Sequence, residues 1–176
     1  MGKWVAIVGG ALVAVPILMA GIGLALPKGH VASCRARFHQ SPEALWAAVS
    51  DFPRWPEWNP AVRSMERAPD RDGKPAWVVH GKWGEMPQIV EVFEPPLRMV
   101  TRIPEDAQLG FSGSWSYDIA PAADGAVLTI TERGEVSNPF FRFMSGVVFD
   151  PRTTARAFLR ALGTSFGESV SPENAG

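Results

Sequence analysis

The sequence predicts an α+β domain: a bent antiparallel sheet of about seven strands that buries its apolar face under one long C-terminal helix, with a separate apolar helix ahead of it. Three observations carry that expectation. From Arg63 to Val136, strand-length runs succeed one another with little but turn residues between them. Beyond Asn138 the apolar residues recur at helical spacing. At the other end, Trp4 to Leu26 is a run of 23 residues without a charge.

That N-terminal run is the first element. At 1.5 Å per residue it makes about 34 Å of helix, enough to span a bilayer, and Lys3 and Lys28 flank it. A cleaved signal peptide is the competing reading. Its apolar core is usually about 7–15 residues, however, and no clean small-x-small site precedes Pro27. Pro16 falls mid-span, where it kinks a helix, and Gly9, Gly10, Gly21 and Gly23 leave flat surfaces on it. Lys28, Arg35 and Arg37 outnumber Lys3, which leans the following domain toward the cytoplasmic side of a single-pass anchor.

After Pro27-Lys28-Gly29, residues Val31 to His39 read as a first strand. Ser41-Pro42-Glu43 then sets an N-cap with proline in the first turn of a helix running to about Ser50, with Leu45, Trp46 and Val49 on one face. Directly after it come Pro53, Pro56 and Pro60, which forbid a long helix. Trp55 and Trp58 therefore sit on short stiff turns, closing like a lid over something apolar.

The strands expected next are Arg63–Arg67, Ala76–Trp83, Gln88–Phe93, Met99–Ile103, Leu109–Ile119 and Ala126–Val136. Asp72-Gly73, Gly84-Glu85, Pro95-Pro96 and Asp124-Gly125 supply the turn chemistry between them. Alternation is sharpest at Leu109, Phe111, Gly113, Trp115, Tyr117 and Ile119, so one face of that strand is dry. Asn138-Pro139 opens a helical region and Asp150-Pro151 repeats the signal, which implies a kink or restart. Ala155, Phe158, Leu159, Leu162 and Phe166 complete its apolar stripe. The chain thus divides into a transmembrane helix at 4–26, a folded domain at 31–167 and a flexible tail at 168–176.

Composition narrows the function. With 176 residues, 46% of them hydrophobic, the chain supports one core and an appendage. A net charge of −1 offers no basic surface to nucleic acid. One cysteine, Cys34, excludes an internal disulfide, and the spacing of His30, His39 and His80 does not suit a metal. No phosphate-cradling glycine loop and no nucleophile elbow is present, and no cofactor is implied.

The helix around Trp46 and the run Asp51-Phe52-Pro53-Arg54-Trp55-Pro56-Glu57-Trp58-Asn59-Pro60 resemble the START, polyketide-cyclase and birch-pollen-allergen superfamily, SRPBCC. Gly113 to Tyr117 is similar to that superfamily's penultimate strand, Thr129 to Glu135 to its last strand, and Asn138 to Phe141 to the start of its closing helix. The resemblance spans about residues 31–167. It implies a helix-grip fold with an internal cavity for lipids, sterols, quinones or polyketides, and in some members cyclase or hydrolase chemistry. An N-terminal span departs from the common pattern, and points to a domain held at the bilayer, where the apolar ligand is a membrane component.

On that reading the chain binds or transfers a hydrophobic small molecule at a lipid bilayer. Trp58, Trp77, Val79, Trp115, Tyr117, Phe158 and Leu162 are its candidate ligand contacts, by strand parity and helical spacing. Phe140, Phe141 and Phe143 are candidates for a gate. The alternative is an enzyme of cyclase or hydrolase type in the same cavity. Its candidates are Glu132, which shares parity with Leu128 and Ile130, with His80, Glu91 and Arg102; Arg102 is the expected partner of a buried Glu132.

Overall fold

The structure, a computed structural model, describes residues 2–82, 84–105, 109–144 and 150–175, with the side chains of residues 2–13 outside that set. Its centre is one antiparallel sheet in the order β2-β3-β4-β5-β6-β7-β1-β8. The strands are β1 (Gly29–Phe38), β2 (Val62–Arg71), β3 (Lys74–Gly81), β4 (Gly84–Glu94), β5 (Arg98–Ile103), β6 (Phe111–Ala122), β7 (Gly125–Val136) and β8 (Glu173–Asn174). Strands two to seven are sequential neighbours, as short turns require. The first strand then closes the order against β7, with Cys34 opposite Ile130.

Several boundaries differ from the sequence reading, each for a local reason. Asp72 and Gly73 take φ of 54° and 74°, the paired left-handed geometry of a tight hairpin turn, so β2 and β3 run almost to the turn instead of stopping at Arg67. At the other end of the sheet, β1 starts at Gly29, because Gly29 and His30 pair with Glu135 and Gly134. The third strand ends at Gly81; Trp83, expected within it, lies outside the described residues. The described residues form eight strands, not about seven: the segment set apart as a tail folds back, Glu173–Asn174 pair with β1, and Glu168 accepts from the His39 amide at 2.9 Å.

Among the described residues there are five helices: α1 (Gly2–Ala25), α2 (Pro42–Ser50), α3 (Trp55–Trp58), α4 (Pro139–Phe143) and α5 (Thr153–Ser165), with a 3₁₀ turn at Phe52–Arg54. Ser41 caps α2 by accepting from the Ala44 amide, and Asn138 caps α4 by accepting from Phe140 and Phe141. The expected long closing helix is thus two pieces among the described residues, with 145–149 outside them.

The core lies between the sheet and α2, α3 and α5, where Leu45, Val49, Leu159 and Leu162 are fully buried against Cys34, Phe38, Leu128 and Ile130. The proline-rich turns hold Trp55 inward, its indole donating to the Val49 carbonyl at 3.0 Å. From it a chain of ring contacts runs to Phe52 (5.1 Å), Phe158 (5.2 Å) and on to Tyr117 (5.5 Å). Such pairs add about 0.5–1.5 kcal/mol each to their area burial.

The C-terminal end of α1 is bolted to the domain. Arg142, 5% exposed, donates from Nε to the Val136 carbonyl, from Nη2 to Ser137 and from Nη1 to Gly23, at 3.1, 3.0 and 3.2 Å. A cation belongs there, where helix carbonyls lack intrahelical partners. A Cβ on Gly23 would stand 1.8 Å from the Pro139 carbonyl oxygen, so only glycine lets α1 meet α4 this closely. Val15, Ile17, Leu18 and Leu24 of α1 are exposed. Among the described residues no helix is long and apolar enough to cross a membrane; the first half of the expected span at 4–26 has its side chains outside them.

Candidate functional site on the concave face

The helices do not cover the whole inner face. Toward β2 to β5, the inward side chains Met65, Trp77 and Met86, with Trp115 on β6, are only partly buried against the core. Together they line the candidate groove on the concave face.

At one end of the groove the apolar pattern breaks. Consecutive rungs across the sheet read Met99, Tyr117, Ile130 and Cys34; then Thr101, Trp115, Glu132 and Ala32; then Ile103, Gly113, Gly134 and His30. Strand alternation therefore gathers Tyr117, Thr101, Trp115, Glu132 and His30 on one face. Glu132 accepts from the Trp115 indole N–H at 3.2 Å and lies 3.2 Å from His30 Nε2. The imidazole rests over Gly134, where a Cβ would come within 2.5 Å of the ring. The sequence reading did not place His30 beside Glu132, since His30 falls outside the strand as first drawn and meets Glu132 only through the 29↔135 register.

Two buried polar atoms on this face lack a partner of good geometry: Gln88 Oε1 and Thr101 Oγ1. Gln88 stands opposite Trp77 on β4, and Thr101 opposite Trp115 on β5, near enough to Tyr117 for the two hydroxyls to interact. Burial pushes the Tyr117 phenol well above its usual pKa, and the negative charge of Glu132 adds to the shift. Tyr117 is therefore a neutral hydroxyl at any physiological pH.

The remaining expected site residues fall into three places. Val79, Tyr117, Phe158 and Leu162 are buried in the core, Leu162 completely. Trp77, Trp115 and Trp58 are partly buried, and Trp58 also borders a separate groove of about 620 Å³ between α2 and α5 on the outside of the helix layer. Arg102, His80 and Glu91 point the other way. Arg102 pairs with Glu91 at 2.8 Å on the outer face, so it is not the partner of Glu132; parity separates them. On that same face His80 lies 3.4 Å from Glu66 and 3.5 Å from Glu85. Arg102, Arg133, Ser112 and Ser114 instead rim a shallow cleft of about 450 Å³ near the strand ends. The phenylalanines proposed as a gate sit on α4, with Phe141 56% exposed. Among the described residues no three His, Cys, Asp or Glu side chains converge to hold a metal.

Solved structures share this architecture. A START superfamily protein from Mycobacterium smegmatis superposes with a TM-score of 0.58 at 17% identity, covering 78% of this chain and 95% of that one. Norcoclaurine synthase from Thalictrum flavum gives 0.60 at 13% identity, over 80% of this chain and 87% of that one. A major latex-like protein from Panax ginseng gives 0.59 at 11% identity, over 80% and 96%. At these identities the likeness speaks for the fold. No curated protein matches the sequence. The family described as polyketide cyclase / dehydrase and lipid transport matches residues 34–166, nearly all of the sheet and its closing helix, and the chain therefore belongs to that family within the SRPBCC superfamily.

Proposed function

We propose that the protein binds or transfers a hydrophobic small molecule, of lipid, quinone or polyketide type, in the groove beneath α5 while α1 anchors it in a bilayer. The observation that carries this reading is the incompletely buried apolar wall of Met65, Trp77, Met86 and Trp115 on the inner face. Apolar side chains that a monomer leaves uncovered in a concavity are worth roughly 25 cal/mol per Å² to whatever covers them. The family to which the chain belongs supports hydrophobic-ligand binding in general. For the anchor, the support is the uncharged run from Trp4 to Leu26 and the exposed Ile17, Leu18 and Leu24. The basic residues after it favour a cytoplasmic domain.

Native mass spectrometry of the detergent-purified full-length chain, with extraction of whatever it carries, tests this directly. A co-purifying apolar molecule is expected, and Trp115→Ala should reduce its occupancy several-fold by removing one wall. A chain that carries nothing and takes up no lipid or quinone offered to it would overturn the reading.

A second reading, cyclase- or hydrolase-type chemistry in the same groove, is favoured by the His30–Glu132 contact, since a carboxylate beside an imidazole can move a proton. The same experiment separates the two. A carrier returns its ligand with unchanged mass and chromatographic retention after incubation, whereas a hydrolase returns it heavier by one water and a cyclase returns a ring-closed product of altered retention, with or without loss of water.

A further inference from the structure

The polar end of the groove is negative and hungry for hydrogen-bond donors. Glu132 has a side chain only 16% exposed, and its single ion-pair partner among the described residues is His30, which is charged only when protonated. No lysine or arginine neutralises it there: Arg102 is turned outward to Glu91, and Arg67 is engaged by Asp70 and the Trp77 ring. Two donors reach the carboxylate, the Trp115 indole and His30, which leaves acceptor capacity on its oxygens. Gln88 Oε1 is a further acceptor without a partner, and Thr101 Oγ1, beside the Tyr117 hydroxyl, makes no hydrogen bond of good geometry. Both residues are more than nine-tenths buried on the same face. Native structures rarely leave such atoms alone.

From this arrangement, and resting on the reading of the groove as a ligand site, we propose that the protein selects a neutral, hydroxyl-bearing apolar ligand, an alcohol or phenol, and rejects carboxylate-headed molecules such as fatty acids. A hydroxyl donates to Glu132 or Gln88 and accepts in return from Thr101. A carboxylate can only accept, and it would stand beside the like charge of Glu132 in a partly dry site, where repulsion is poorly screened. An ammonium donates to Glu132 but cannot accept from Thr101, so a hydroxyl alone answers both partners. The Trp115 indole N–H orients Glu132, and on the next rung the His30 ring packs over Gly134 beside it.

Equilibrium dialysis of the full-length chain in micelles, with empty micelles as the blank, tests the proposal using 2-naphthol and 2-naphthoate. The two share a ring system and differ in the head group. Binding in excess of the blank should favour naphthol by about ten-fold or more, the scale of one like-charge contact in a half-buried site. In Glu132→Gln, naphthol binding should persist while the preference falls below about three-fold, because the repelling charge is gone. Equal or tighter binding of naphthoate to the unaltered chain overturns the proposal and leaves the ligand site standing, and this comparison does not depend on the variant folding. An unchanged preference in Glu132→Gln overturns the assignment to that residue. If neither probe exceeds the blank, the ligand site itself is lost, and the proposal with it.

Discussion

Glu91 on β4 and Glu132 on β7 belong to one sheet, and parity gives them opposite work. Glu91 faces outward, where a hydrogen bond from Lys74, joined by one from Arg102, holds its carboxyl below the usual carboxylate range. A carboxyl with a depressed folded pKa stabilises the fold above its unfolded value of about 4.3, and that stabilisation fades as pH falls through the depressed value. Unfolding free energies of the unaltered chain and Glu91→Gln from urea titration should therefore differ at pH 7 by no more than about 1 kcal/mol, since Lys74 and Arg102 are solvent-facing, and should draw together as the pH is lowered through the acid range. A gap that stays constant across that range would assign the cost to packing instead. On the inner face Cys34 is likewise removed from chemistry, because burial raises its thiol pKa.

At the scale of elements, Arg142 joins three of them: it ties the last carbonyls of α1 to the end of β7 and to the start of α4. Replacing it with methionine leaves those carbonyls short of a charged donor, at a cost of about 2–3 kcal/mol. The loss should appear as local release of α1, so native-state tryptic cleavage at Lys28 should accelerate on the order of 100-fold. An unchanged cleavage rate would mean that the apolar contact of α1 with α4 suffices without the clamp. None of this is legible in the sequence, because Arg142 and Gly23 are 119 residues apart and carry no local signal. What is legible has short-range causes: the Ser41 and Asn138 caps, the prolines that break the chain around Trp55, and the alternation along β6 all act within a few residues. The inward parity of Glu132 is legible for the same reason. Its partner is not, since choosing His30 over Arg102 requires the strand order and the 29↔135 register, both set by pairings across the whole domain.

For the whole molecule, the connection between α1 and the sheet decides how the groove can meet a bilayer. Only Leu26, Pro27 and Lys28 separate the end of α1 from the start of β1, a reach of at most about 10 Å, and the Arg142 clamp removes most of that freedom. If α1 spans a membrane, the domain rides at a fixed height against the interface, with exposed Phe141 and Leu24 near the junction, and a ligand entering the groove need not cross much water. Full-length protein expressed in cells should then stay in the membrane pellet after alkaline carbonate washing, which strips peripheral proteins. Leu18→Arg, near the middle of the uncharged run, should release a large fraction, since an arginine at mid-span costs about 2.5–3.5 kcal/mol on insertion scales. The soluble fraction of that variant should still bind the ligand that co-purifies with the parent chain, because Leu18 is an exposed residue of α1. Quantitative recovery of the unaltered protein in the carbonate supernatant would overturn the anchor and leave the groove as a site that loads from solution.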